Sequence, residues 1–143
     1  DLSKVFQGVL QATPRAVADR AALVRLWLHE EARVFRDRLV DDADRDWFNT
    51  LCAESVRKEL GDELAVSEFK DVMFGDFLSR ESRVYAEFVD TKRLGAQLGE
   101  YLEEYNLSSP SQMHLVFFKD AVAHVCRICR ILRQPRGNAL LVG

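Results

Sequence analysis

The 143 residues are enough for one domain with a sizeable core, and 48% hydrophobic with 30% charged residues describes a globular chain, not a disordered one. A net charge of −3, from 20 basic and 23 acidic residues spread along the chain, excludes the basic field of a nucleic-acid binder and the polybasic patch of a membrane-surface protein. Three cysteines suit a reducing compartment better than a disulfide framework, and only seven glycines and three prolines among many Leu, Ala, Arg and Glu favour helix.

The first residues, DLSKVFQGVL, already recur at helical spacing through Leu2, Val5, Phe6, Val9 and Leu10, which predicts a helix over 2–12. Pro14 lacks an N–H and disfavours helix at Thr13, so ATPRAVAD breaks it. A second helix is predicted over 19–39, with Val24, Leu28, Ala32, Phe35 and Leu39 as its apolar stripe and Trp27 widening it. Arg25, Glu30, Arg33 and Arg36 then fall on a solvated or ion-paired face. Asp41 or Asp42 suits the N-cap of a third helix, with Trp47, Phe48, Leu51, Cys52 and Leu60 facing inward and Gly61 as its C-cap. The composition shifts near 61–66 from charged helices to apolar aromatic chain, which is the best internal boundary. VMFGDFL, 72–78, keeps no helical period and reads as a short strand or a packed extended segment.

A fourth helix is predicted over 91–105, lined by Leu94, Leu98, Tyr101, Leu102 and Tyr105. Gly95 and Gly99 would allow close helix approach, and Asn106 would close it in the left-handed conformation. Ser109 as N-cap, Pro110 at the first position and Gln112 at the third form a capping box, predicting a fifth helix from 110 to 133 with two adjacent apolar stripes. NALLV, bounded by Pro135 and Gly137 on one side and Gly143 on the other, reads as a short buried strand. A chain that opens inside a helix and closes on such a strand reads as a piece of a longer protein.

Candidate chemistry is sparse. HEEAR, 29–33, lacks the second histidine that would set two zinc ligands on one helix face, so His29 reads as a surface histidine in a charge cluster. Cys126 and Cys129 in CRIC share one side of a helix, but no further ligands stand at a supporting spacing, and a redox pair belongs at a helix start. Buried thiols are the simpler reading. His124 lies on an apolar stripe and reads as a core or interface histidine; His114 reads as exposed. The paired carboxylates at 30–31, 41–42 and 103–104 are neighbours that do not share a helix face, and read as solvated. In RQPRGNALLVG, a buried strand followed by a glycine is how a phosphate loop begins, here without the diagnostic lysine.

Taken together, DLSKVFQGVL, LVRLWLHEEARVFRDRLV, VMFGDFL, YLEEYN and LVFFKDAVAHVCRICRILRQPRGNALLVG resemble one continuous stretch of a dynein heavy chain, of the axonemal kind. The resemblance implies a mainly α chain: a helical AAA+ lid followed by helices and the first strand of a P-loop α/β subdomain. Residues 1–65 would be the lid (small subdomain) of the third AAA+ module, and 66–143 the N-terminal part of the fourth module's large subdomain. Gly143 would be the first glycine of that module's phosphate loop. Ligands bind at the carboxyl ends of strands in open α/β sheets, so the adenine would meet the turns leading in: Leu107 in NLSSP, and Pro135 and Gly137 in QPRG. Leu107 alternatively staples onto Met113. The implied parent is an ATP-driven, minus-end-directed microtubule motor of the axoneme of cilia and flagella, partnered by dynein intermediate and light chains, with ATP or ADP and Mg as cofactors. It takes neither nucleic acid nor membrane as a partner. This stretch, carrying no catalytic residue and no metal ligand, would bind none of these alone and would couple adjacent ring modules. The rival reading is a stand-alone helical protein-interaction module.

Overall fold

The computed structural model describes residues 1–61, 63–78 and 81–142. Five α-helices carry most of the described chain, together with one two-stranded ladder, as the helix-favouring composition requires. The chain divides into two compact units, residues 1–74 with 85–87, and residues 75–84 with 88–143.

The first unit holds α1 (Leu2–Val9), α2 (Arg20–Val34), α3 (Asp42–Leu60) and β2 (Ala86–Glu87), and ends its first stretch at Phe74, the first residue of β1 (Phe74–Gly75), the strand that pairs with β2. Helix α1 stops short of residue 12: the Leu10 N–H bonds back to the Phe6 carbonyl and a turn follows. Helix α2 begins as a capping residue dictates, with the Asp19 carboxylate accepting from the Ala22 N–H at 2.7 Å. It ends at Val34, five residues before the expected limit, and a 3-10 turn over Arg36–Arg38 follows. Helix α3 has the expected ends: Asp41 caps the Asp44 N–H at 2.8 Å, and Gly61 takes the left-handed conformation at φ 72°.

Helix α2 is buried on two sides, where a single stripe was expected. Val24 and Leu28 pack with Cys52, Val56 and Phe69, flanked by Trp27, Phe48 and Leu64. Leu26 packs on the other side with Phe74 and Tyr85. The inward stripe of α3 is correspondingly narrow, comprising Asn49, Cys52 and Val56. Trp47, Leu51 and Leu60 are exposed, contrary to the sequence reading, because α3 meets one face of α2 and not a wider surface.

The second unit is built on α4 (Thr91–Ser108) and α5 (Lys119–Arg133). The Asp90 carboxylate caps α4, accepting from the N–H groups of Lys92 at 2.9 Å and Arg93 at 3.2 Å. Leu94 and Leu98 are buried as expected, and Tyr101 donates its hydroxyl to the Phe77 carbonyl at 2.6 Å. On α5 the buried positions are Val122 and Cys126, whereas His124 is exposed, which rules out the core half of its core-or-interface reading. Neither helix glycine marks a close approach: a Cβ on Gly95 would meet only the Phe117 carbonyl oxygen, at 3.8 Å, and one on Gly99 nothing within 4 Å. Gly75 is the close approach instead, since a Cβ there would lie 2.5 Å from the Phe88 ring.

The start of α5 departs most from expectation. Ser109 is no N-cap; its hydroxyl accepts from the Ser111 N–H at 3.2 Å in a local turn, the competing use of a serine near a helix start. Asn106 does not end α4 in the left-handed conformation but stays helical, and its carboxamide holds Met113 at both backbone groups, each at 2.8 Å. That pairing keeps the following chain non-helical, and α5 begins only after Phe118. Residues 138–142 form no strand. Leu140 is 90% exposed, and among the described residues the ladder is that of β1 and β2, leaving this run no neighbouring strand to pair with.

Candidate functional site

Pro135 and Gly137 lie together in the turn that leaves α5. The Gln134 backbone is extended, at φ −69° and ψ 144°, as the residue before a proline prefers. Arg136 adopts a positive φ of 58°, and the Gly137 N–H closes the turn on the Gln134 carbonyl at 2.8 Å. Proline second and a positive φ third are the marks of a type II turn. The turn folds so tightly against the helix end that a Cβ on Gly137 would lie 1.8 Å from the Ile131 carbonyl oxygen. The space a side chain would fill here is occupied by the helix itself, so the turn requires glycine with or without a ligand. Asn138 steadies it by donating its carboxamide to the Arg136 carbonyl at 2.8 Å.

Leu107 lies elsewhere, in the last turn of α4, and is 90% exposed. It is therefore not the apolar staple onto Met113 that was the alternative reading; Asn106 makes the connection to Met113 by hydrogen bonds. Gly143 lies outside the described residues. Pro135 is exposed, like Leu107.

Arg133, one residue before the turn, ion-pairs with Asp76 and donates to the Arg83 carbonyl at 3.1 Å. Beside this pair is a cavity of about 660 Å³ with Phe77, Tyr101, Cys129 and Leu132 in its wall. Burial, and then the Asp76 charge, push the Cys129 thiol up. Cys52 is pushed up to about 11, by burial first and the Glu31 charge second. Both are therefore protonated at neutral pH, which suits packing and not nucleophilic or metal chemistry. Among the described residues no three His, Cys, Asp or Glu side chains are grouped to hold a metal, and no helix is long and apolar enough to cross a membrane.

The sequence reading missed a polar cluster on α2. His29 and Glu30, expected on a solvated face, are buried. The His29 Nδ1–H donates to the Val72 carbonyl at 2.9 Å, and Glu30 accepts the Tyr85 hydroxyl at 2.7 Å. The partners lie 43 and 55 residues along the chain, beyond the reach of any periodicity argument. Arg25, from the same face, does pair as expected, with Glu87 at 3.0 Å.

Comparison with known proteins finds two family models that match parts of the chain. Residues 1–69 match the family model described as an AAA+ lid domain, and residues 113–143 that described as the P-loop containing dynein motor region D4. Over its whole length the chain is 47% identical to dynein axonemal heavy chain 1 of Mus musculus and 45% identical to that of Homo sapiens. It is 41% identical to dynein axonemal heavy chain 6 of Homo sapiens. The chain spans 3–4% of the length of these relatives.

Proposed function

The chain belongs to the dynein heavy chain family, of the axonemal type, and we propose that it is the connection between the third and fourth AAA+ modules of a motor ring. The observation that carries this is the order of the two matches, a lid first and motor region D4 second, on a chain alike to axonemal heavy chains from end to end. Residues 1–65 are then the third module's lid, and 66–143 lead into the fourth module's large subdomain.

The parent heavy chain is an ATP-driven, minus-end-directed microtubule motor in the axoneme of cilia and flagella. It carries intermediate and light chains and binds ATP or ADP with Mg. A nucleotide held in the fourth module's site would supply phosphate charge and a planar base. Leu107 and Pro135 are the residues that would meet the base, Gly137 would hold the turn that leads toward the phosphates, and by its place in the sequence Gly143 would be the first glycine of the phosphate loop. The chain's role in the ring is to pass lid rotation to the next module.

In the full heavy chain, Leu107→Asp is expected to weaken nucleotide binding at the fourth module several-fold while helix content stays unchanged. Nucleotide titration with a fluorescent analogue reads this out. Unchanged affinity in a folded variant removes Leu107 from the site.

A further inference from the structure

Three side chains of α2 hold chain that lies well beyond residue 65. Arg25 Nε is 3.0 Å and 3.2 Å from the two carboxylate oxygens of Glu87. The buried His29 donates to the Val72 carbonyl, and the fully buried Glu30 accepts from Tyr85, which is itself fully buried. The Phe74 ring sits 5.2 Å from His29 and 5.8 Å from Tyr85, filling the space between the two polar contacts.

The three grips come from residues 25–30, fewer than two turns of one helix, and take hold of both 72–74 and 85–87. Separating them would leave Glu30 without its Tyr85 donor and both groups poorly placed to recover water, the situation that makes buried polar pairs costly to break. Exposed ion pairs alone would not be expected to hold a segment in this way. Only Phe88 and Val89 stand between Glu87 and Asp90, the N-cap of α4.

We infer that residues 72–74 and 85–87 are a latch belonging mechanically to the lid, with Arg25, His29 and Glu30 as its positioning residues. The chain entering α4 is thereby tied to α2, and the lid body ends not at 65 but at 87, interrupted by 75–84. The latch's purpose, carrying lid rotation into the following module, rests on the ring reading; its mechanics do not.

The test is amide hydrogen exchange in the full heavy chain. Tyr85→Phe removes one hydroxyl and keeps the ring; it should speed exchange over 72–74 and 85–87 about tenfold, the size of one lost buried hydrogen bond. Two core variants identify the body to which these segments belong. Val24→Ala, in the first unit, should speed their exchange, and Leu98→Ala, in the second, should leave it unchanged. Exchange that follows Leu98→Ala, or that ignores Tyr85→Phe, overturns the latch. Microtubule-stimulated ATPase of Tyr85→Phe tests the purpose separately. Faster exchange with a reduced rate supports both readings; faster exchange with an unaltered rate keeps the latch and removes its role in coupling.

Discussion

Gly137 and Gly99 are chemically the same residue in opposite situations. At Gly137 any side chain meets the Ile131 carbonyl, so the turn must open before an alanine fits. At Gly99, inside α4, nothing lies within 4 Å of an added Cβ. Gly137→Ala is expected to cost about 1–3 kcal/mol, the range for forced overpacking, and Gly99→Ala to stabilise by about 0.5–1 kcal/mol through reduced chain entropy. Denaturant unfolding of both variants reads out the opposite signs. Cys52 supplies a pH dependence. Its thiol is raised from an ordinary 9.0 to about 11, so between these values the folded chain holds a proton that the unfolded chain releases. Stability from this group is complete below pH 9 and is lost as pH rises toward 11. Thiol labelling at pH 8 should be slow in the folded chain and become fast on unfolding; equal rates in both would place Cys52 at the surface.

Among the elements, the passage from α4 to α5 shows one side chain overriding a local start signal. The Ser109–Pro110–Gln112 pattern is a sound helix beginning in isolation. Asn106 instead clamps Met113 at both backbone groups, and no helix start at 110 can satisfy that pairing. Asn106→Ala should therefore loosen 109–118 and let helix extend backward toward Pro110. Backbone chemical shifts would register new helix there; a chain that stays extended without Asn106 shows that other contacts hold it. The caps at Asp41 and Gly61 were legible because both ends of α3 are satisfied by residues within one turn. The burial of α2 was not legible, because its second face is covered by Phe74 and Tyr85 from far along the chain.

For the molecule as a whole, residues 1–143 are expected to hydrolyse no ATP. Phosphoryl transfer needs a loop lysine and a magnesium-held phosphate, and residues 1–143 contain no G-x-x-x-x-G-K-[ST] pattern. A phosphate-release assay on the purified chain checks this, and turnover above a mock preparation would contradict it. The mainly helical class followed from composition and from periods short enough to read locally, and the observed five helices agree with it. Family membership was equally legible, because long runs such as LVFFKDAVAHVCRICRILRQPRGNALLVG are specific in themselves.

The sequence by itself determined what depends on neighbours within a turn or two: helical class, the caps of α3, the proline-directed turn at 134–137, and the family. The tertiary structure alone decided which faces are buried. His29 and Glu30 look like surface residues by their polarity, and only Val72 and Tyr85, brought back by the fold, make their burial affordable. The same holds in reverse for residues 138–142, apolar enough for a sheet interior but exposed here. A strand is defined by its partner, and side-chain burial by what the rest of the chain places opposite it; neither is a property that a segment carries alone.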